Sequence, residues 1–302
     1  MPFAIGLRFY RISIRRKGEK ENLEIWPGRD PCDLIDYVKG FVQRRTEPTV
    51  HAEEQRTWFF EELTTSSIRV VHGYINYGTH GFESKLKDVK TRRQKYVRQA
   101  TDLEEIPLYF QFWMPTGSTF ALAAFQSFQG RSCISFVRSA MIKDFNERFP
   151  NHVMLFNVVA PTQSMLDEAP VKRVTFFKPK VSNDKADRYL LGRDIEEIDY
   201  ELTVRARKRG SFISSYKDLR SRFGDGTGNV VEFDGHKFES VKADVEFGGR
   251  RRTVGVFGYG QDAGLIDVSD DVKREANGHP NLASIEKQVD SLMETFYAGM
   301  KT

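Results

Sequence analysis

The chain reads as an α+β protein, with a mixed sheet and packed helices in the N-terminal part and an antiparallel, β-rich C-terminal part closed by a helix. Three observations predict this. Apolar residues alternate at period two near the start, at Ile5, Leu7, Phe9 and then Ile12 and Ile14. Others recur at helical spacing, as Ile285, Val289, Leu292 and Phe296 do near the end. Beyond residue 170, strand-like runs follow one another, separated by tight-turn pairs such as Asp234-Gly235 and Gly248-Gly249.

The elements follow in order. Ile5 to Ile14 forms a strand that points Arg8 and Arg11 away from its apolar face. Asp33 to Val42 forms a short helix entered through Pro31, a residue suited to a helix start. Thr57–Leu63 and Ile68–Tyr77 are two strands of a meander, the second ending at Gly78. Ser84 to Arg98 is expected to be a helix, with Phe82, Leu86, Val89, Tyr96 and Val97 on its buried stripe. Ile106–Met114, an aromatic run held between Pro107 and Pro115, is a central strand. Thr119–Phe128 and Cys133–Phe149 read as helices separated by Gly130, and Val153–Val159 as a buried strand. The later strands are Val171–Phe177, Tyr200–Arg205, Val230–Phe233, Phe238–Phe247 and Thr253–Phe257. Leu282–Phe296 closes the chain as an amphipathic helix capped by Asn281. The texture changes around Pro161 to Pro170. This suggests an α/β-like part over 1–165 and a β-rich part over 166–302, with a single large domain as the alternative.

Composition narrows the class. Apolar residues make up 39% and charged residues 29% of 302, the balance of a folded protein rather than a disordered one. The 24 Phe, with 11 Tyr and 3 Trp, are enough to fill large cores. No apolar run approaches the roughly 18 residues that a membrane span needs. The N-terminal run places its apolar residues before its charges, the reverse of a secretory signal. Cys32 and Cys133 lie far apart in unrelated contexts, which suggests two buried or half-buried thiols in a reducing cytosol. A cytoplasmic location without a membrane span is therefore expected.

Net charge is only +4, but it is arranged in blocks of one sign. Between Ser84 and Arg98 seven Lys or Arg face a single Asp. Such a block projects a field that gathers an anionic partner, and phosphate is the commonest anion. Lys85, Lys87, Lys90, Arg92, Arg93, Lys95 and Arg98 are the main candidate contacts to nucleic acid or another polyanion. Arg205, Arg207, Lys208, Arg209, Arg250, Arg251 and Arg252 form a second candidate patch. Phe212, Tyr216, Leu219 and Phe223 interleave with the 205–222 cations, but at a helical spacing that fits a core face better than a base-stacking surface.

Other motifs are incomplete. Gly224–Gly228 lacks the Lys and Ser/Thr of a P-loop, and Gly255–Gly260 lacks the helix of a dinucleotide fold. No two histidines stand three or four residues apart, so no metal is indicated, nor any other cofactor. Asp88-Val-Lys90 and Asp271-Val-Lys273 match by letter the short carboxylate–lysine element of metal-dependent nucleases, which is the best enzyme alternative. A scaffold that docks an acidic protein encoded nearby is the other alternative.

One resemblance spans most of the chain. It rests on Gly73-Tyr-Ile-Asn-Tyr-Gly-Thr-His-Gly81, on the runs 107–115 and 121–132, and on segments within 252–286. Together these resemble uncharacterised bacterial proteins encoded in mobile or phage-defence gene islands. The resemblance implies a cytosolic component of an anti-phage defence system and supplies no catalytic residues.

Overall fold

The computed structural model describes residues 5–29, 31–61, 63–159, 166, 169–178, 200–207, 213–223, 231–247, 250–257 and 265–300. The chain divides into two compact units, Met1–Val158 and Val159–Thr302.

The first unit opens with β1 (Ile5–Arg16), then α1 (Leu34–Gln43), β2 (Thr49–His51), β3 (Arg56–Phe60), β4 (Thr64–Ser67) and β5 (Val70–Thr79). It continues with β6 (Ser84–Lys87), β7 (Gln94–Arg98), β8 (Glu104–Trp113), β9 (Ala121–Phe128), α2 (Ile134–Arg148) and β10 (His152–Val159). Its main sheet has the strand order β10-β1-β9-β8-β5-β3-β2, with β4 also on β5. The β1–β9, β8–β9, β5–β8 and β3–β5 registers are all antiparallel. β8 is the central strand its composition suggested, with Leu108, Tyr109, Phe110 and Phe112 all buried.

The two helices pack on each other through Tyr37. Its hydroxyl donates to the Met141 carbonyl at 2.8 Å, and its ring meets Phe145 edge-on with centroids 5.2 Å apart. A chain of edge-to-face rings runs on through Phe41, Phe60 and Phe110, the preferred geometry for aromatic quadrupoles. Asp33 caps α1 as an acceptor, taking the Asp36 amide at 2.9 Å. Both cysteines are buried free thiols, and burial pushes the Cys133 thiol up to about 12.

Two expected helices are strands. Ala121–Phe128 is β9, buried along nearly its whole length between β1 and β8. Its alanines favour a helix in isolation, but a short run bounded by turns and apolar on both faces fits equally well inside a sheet. Gln129 and Gly130, both at positive φ, make the turn that ends it. The second correction is Ser84–Arg98, which is a β-hairpin made of β6 and β7.

The second unit contains β11 (Pro170–Lys178), β12 (Tyr200–Arg205), β13 (Ser214–Ser215), α3 (Tyr216–Phe223), β14 (Val231–Phe233), β15 (His236–Phe238), β16 (Ser240–Phe247), β17 (Arg250–Phe257), β18 (Leu265–Asp267) and α4 (Leu282–Met300). Strands β12-β11-β16-β17 form an antiparallel sheet with β13 on β11. β14 and β15 pair through the Asp234-Gly235 turn. On α4, Ile285, Val289, Leu292 and Phe296 are buried as their spacing required, and Asn281 Oδ1 accepts from the Ser284 amide at 3.2 Å. Tyr216 and Leu219 face the core from α3. Phe212 and the loop Gly224–Gly228 lie outside the described residues, as does Gly258–Gly260, the end of the second glycine-rich stretch.

Candidate nucleic-acid interface

The hairpin forms a two-stranded sheet of its own, separate from the main sheet of its unit. Ser84 pairs with Arg98, Lys85 with Val97 and Leu86 with Tyr96, and an irregularity then brings Lys87 opposite Gln94. Directly opposed residues share a face. Leu86 and Tyr96 therefore sit together on one face, while Lys85, Lys87 and Val97 belong to the other.

Asp88 builds the turn. Its Oδ1 accepts the Thr91 amide at 2.8 Å, the Lys90 amide at 3.0 Å and the Thr91 hydroxyl at 3.1 Å. Its Oδ2 stands 3.0 Å from Lys95 Nζ. The backbone closes through Asp88 N to Arg93 O and Arg92 N to Asp88 O, both at 2.9 Å. An Asp side chain that mimics a backbone turn in this way is the usual reason for Asp at a loop start. The Thr91 amide first, then Lys95 and the Thr91 hydroxyl, hold the Asp88 carboxyl at about 2. Arg92 closes the turn at φ +59°, the left-handed region that costs a side-chain-bearing residue on the order of 1–2 kcal/mol.

The root of the hairpin is fixed by Arg98, which is buried. Its guanidinium donates to Glu104 Oε2 at 2.9 Å and to the Thr79 carbonyl, and lies 4.1 Å from the centre of the Phe82 ring. Arg131 completes the cluster from the other side, 2.5 Å from Glu104 Oε1. Desolvation opposes charge on Glu104, but the hydrogen bond from Arg131 and the two guanidiniums outweigh it, leaving the carboxyl below its usual range. Asp102 braces the second strand, accepting from the Tyr96 hydroxyl and from the Gln99 amide at 2.8 Å. Gly81, at φ +93°, sits where a Cβ would run into the Gln55 side chain, so the chain enters the hairpin through a residue that only glycine suits.

The candidate residues thus fall into groups. Lys85, Lys87, Lys90, Arg92, Arg93 and Lys95 are all exposed on the hairpin and gathered within one short ribbon. Arg98 is corrected from contact residue to internal anchor. Arg252 is corrected in the same way: it is fully buried on β17, 3.2 Å from Asp271 Oδ2, and donates to Gln288 Oε1 at 3.1 Å. Arg205 and Arg207 are exposed, Arg205 opposite Arg173 on the neighbouring strand. Arg250 and Arg251 lie on β17, opposite Phe247 and Glu246. Lys208 and Arg209 fall outside the described residues.

Both letter matches to a nuclease element have structural uses. Asp88 organises its turn, and Asp271 takes the Arg252 guanidinium from a turn before α4. Among the described residues no three His, Cys, Asp or Glu are grouped to hold a metal ion. His51 Nε2 accepts from the Trp58 indole at 3.1 Å, a satisfied structural histidine.

Sequence reasoning missed the exposed apolar residues among these cations. Val89 at the tip is 90% exposed, Leu86 52% and Tyr96 49%. The signal was present in Asp88-x-x-Thr91, an Asx-turn pattern, followed by the β-favouring Tyr96-Val97. No protein-family model matches this chain, and comparison with curated proteins finds no match.

Proposed function

We propose that the protein binds nucleic acid through the β6–β7 hairpin, as a cytosolic bacterial component of a defence assembly. The observation that supports this reading best is the concentration of six exposed cations against one carboxylate on a ribbon held rigidly at its root. Like charges so close repel one another, and polyanion contact with release of counterions is the general compensation. The defence setting rests on the sequence resemblance alone. Phosphate contacts of this kind carry no sequence information and weaken steeply with salt.

The test is fluorescence anisotropy with labelled DNA and RNA from low to moderate salt, on the wild type and on an Arg92→Glu, Arg93→Glu variant. Binding at low salt is expected, with log K falling against log salt with a slope of about −4 to −5 if five or so phosphates are contacted. The charge-reversed variant should lose it. Absence of binding at the lowest salt would overturn the reading and leave an acidic protein surface as the ribbon's partner.

A further inference from the structure

The ribbon carries cations on both of its strands and at its tip. Lys85 and Lys87 stand on β6, Arg93 and Lys95 at the start of the returning strand, and Lys90 and Arg92 in the turn. A single nucleic-acid strand offers one row of phosphates, whereas a duplex groove offers two, one on each side. A single strand also needs open aromatic faces for its bases. Here, among the described residues, only two half-exposed rings lie near the cations, Tyr96, tied through its hydroxyl to Asp102 and paired with Leu86, and Phe82, with Arg98 against one face, too few for a row of stacked bases. Two hydrogen-bonded strands are separated by about 4.8 Å and with side chains fill a space close to the 12 Å width of the B-DNA major groove. The four residues of β6 give a reach of about 13 Å, more than the groove's depth of about 8.5 Å. The major groove of A-form RNA is too narrow and deep for this.

The tip then explains Val89. Val89 is 90% exposed, so its apolar side chain buries almost nothing within the fold and is free to meet a partner. In a DNA major groove the apolar feature of the base edges is the thymine methyl group. We infer that β6–β7 enters the major groove of B-form DNA, with its cations on both phosphate backbones and Val89 against thymine methyls. The inference rests on the nucleic-acid reading above and deepens it to a duplex type and a groove.

It is tested by anisotropy with three duplexes of one A·T-rich sequence: DNA, the same DNA with uracil for thymine, and RNA. Each is titrated with the wild type and with Val89→Ser, a change at an exposed turn position that leaves the fold unstressed and removes both methyl groups. Vesicles containing phosphatidylserine serve as a non-nucleic polyanion. The expected result is DNA bound at least about tenfold tighter than RNA. Uracil substitution should weaken binding about fourfold, the factor carried by one buried methyl group, and Val89→Ser should erase that difference while keeping the salt slope. RNA bound as tightly as DNA, an unchanged uracil duplex, or a thymine preference that survives in Val89→Ser would each overturn the groove assignment while nucleic-acid binding itself stands. Binding to vesicles with none to any duplex would overturn both the assignment and the nucleic-acid reading.

Discussion

Arg98 keeps its charge inside the fold, where Glu104, the Thr79 carbonyl and the Phe82 ring all receive it. Its neighbours at 92, 93 and 95 keep theirs in solvent. Residue type does not separate these two uses; the partners within reach do. Arg98→Ala should therefore lower stability by about 2–3 kcal/mol, somewhat below the cost of breaking a fully buried pair, because the Glu104 side chain is 39% exposed. Arg93→Ala should stay within about 0.5 kcal/mol, as surface changes do. Urea titration of both variants checks this, and equal losses would mean that Arg98 is not an anchor. A sequence alone shows seven cations within one short segment. It does not show that one of them meets a carboxylate six residues further on across a hairpin root.

At the scale of elements, the misread segment is instructive. Phe82, Leu86 and Val89 fall at helical spacing, yet Leu86 faces Tyr96 across a ribbon, and Val89 stands exposed in the turn that joins its strands. Period alone could not separate these cases, since the turn consumes the residues that would have broken the pattern. The Ala-rich β9 failed for a different reason: burial on both faces erases the alternation that marks a strand. By contrast α1, α4 and β8 were legible, because the caps of the helices and the prolines beside the strand agree with their patterns, while α2 was legible from its length and the break at Gly130. The turn itself makes a pH expectation. A carboxyl whose folded pKa is depressed supports its turn above the ordinary value of 3.8 and withdraws that support as pH falls through about 2. The Lys90 and Thr91 amide resonances should accordingly hold steady from pH 7 to 4 and shift with a midpoint near pH 2. A midpoint at 3.8 would show that the Asp88 hydrogen bonds do not persist in solution.

For the molecule as a whole, each unit has its own core and its own internal guanidinium. In the second unit Arg252 ties β17 to Asp271 and, through Gln288, to α4. With its side chain wholly out of solvent, Arg252→Ala removes a charge partner and two hydrogen bonds at once. It should cost about 3–4 kcal/mol, read as a lower denaturation midpoint for this unit. A loss below about 1 kcal/mol would show that the cluster relaxes around the gap. Arg252 was expected to be a ligand contact, because three consecutive arginines look alike in a sequence until the fold finds one of them a buried partner.

The hairpin that stands apart from the main sheet has one more consequence. Among the described residues no third strand pairs with its two edges, and an unpaired edge is a template on which another molecule can add a strand. Lysine along an edge is a common guard against that growth. The same side chains that attract phosphate would then keep copies of the protein from stacking into fibres. Neutralising Lys85, Lys87, Arg93 and Lys95 together would leave Leu86, Val89 and Tyr96 on a bare ribbon, and the outcome would be turbidity rather than a quiet loss of binding.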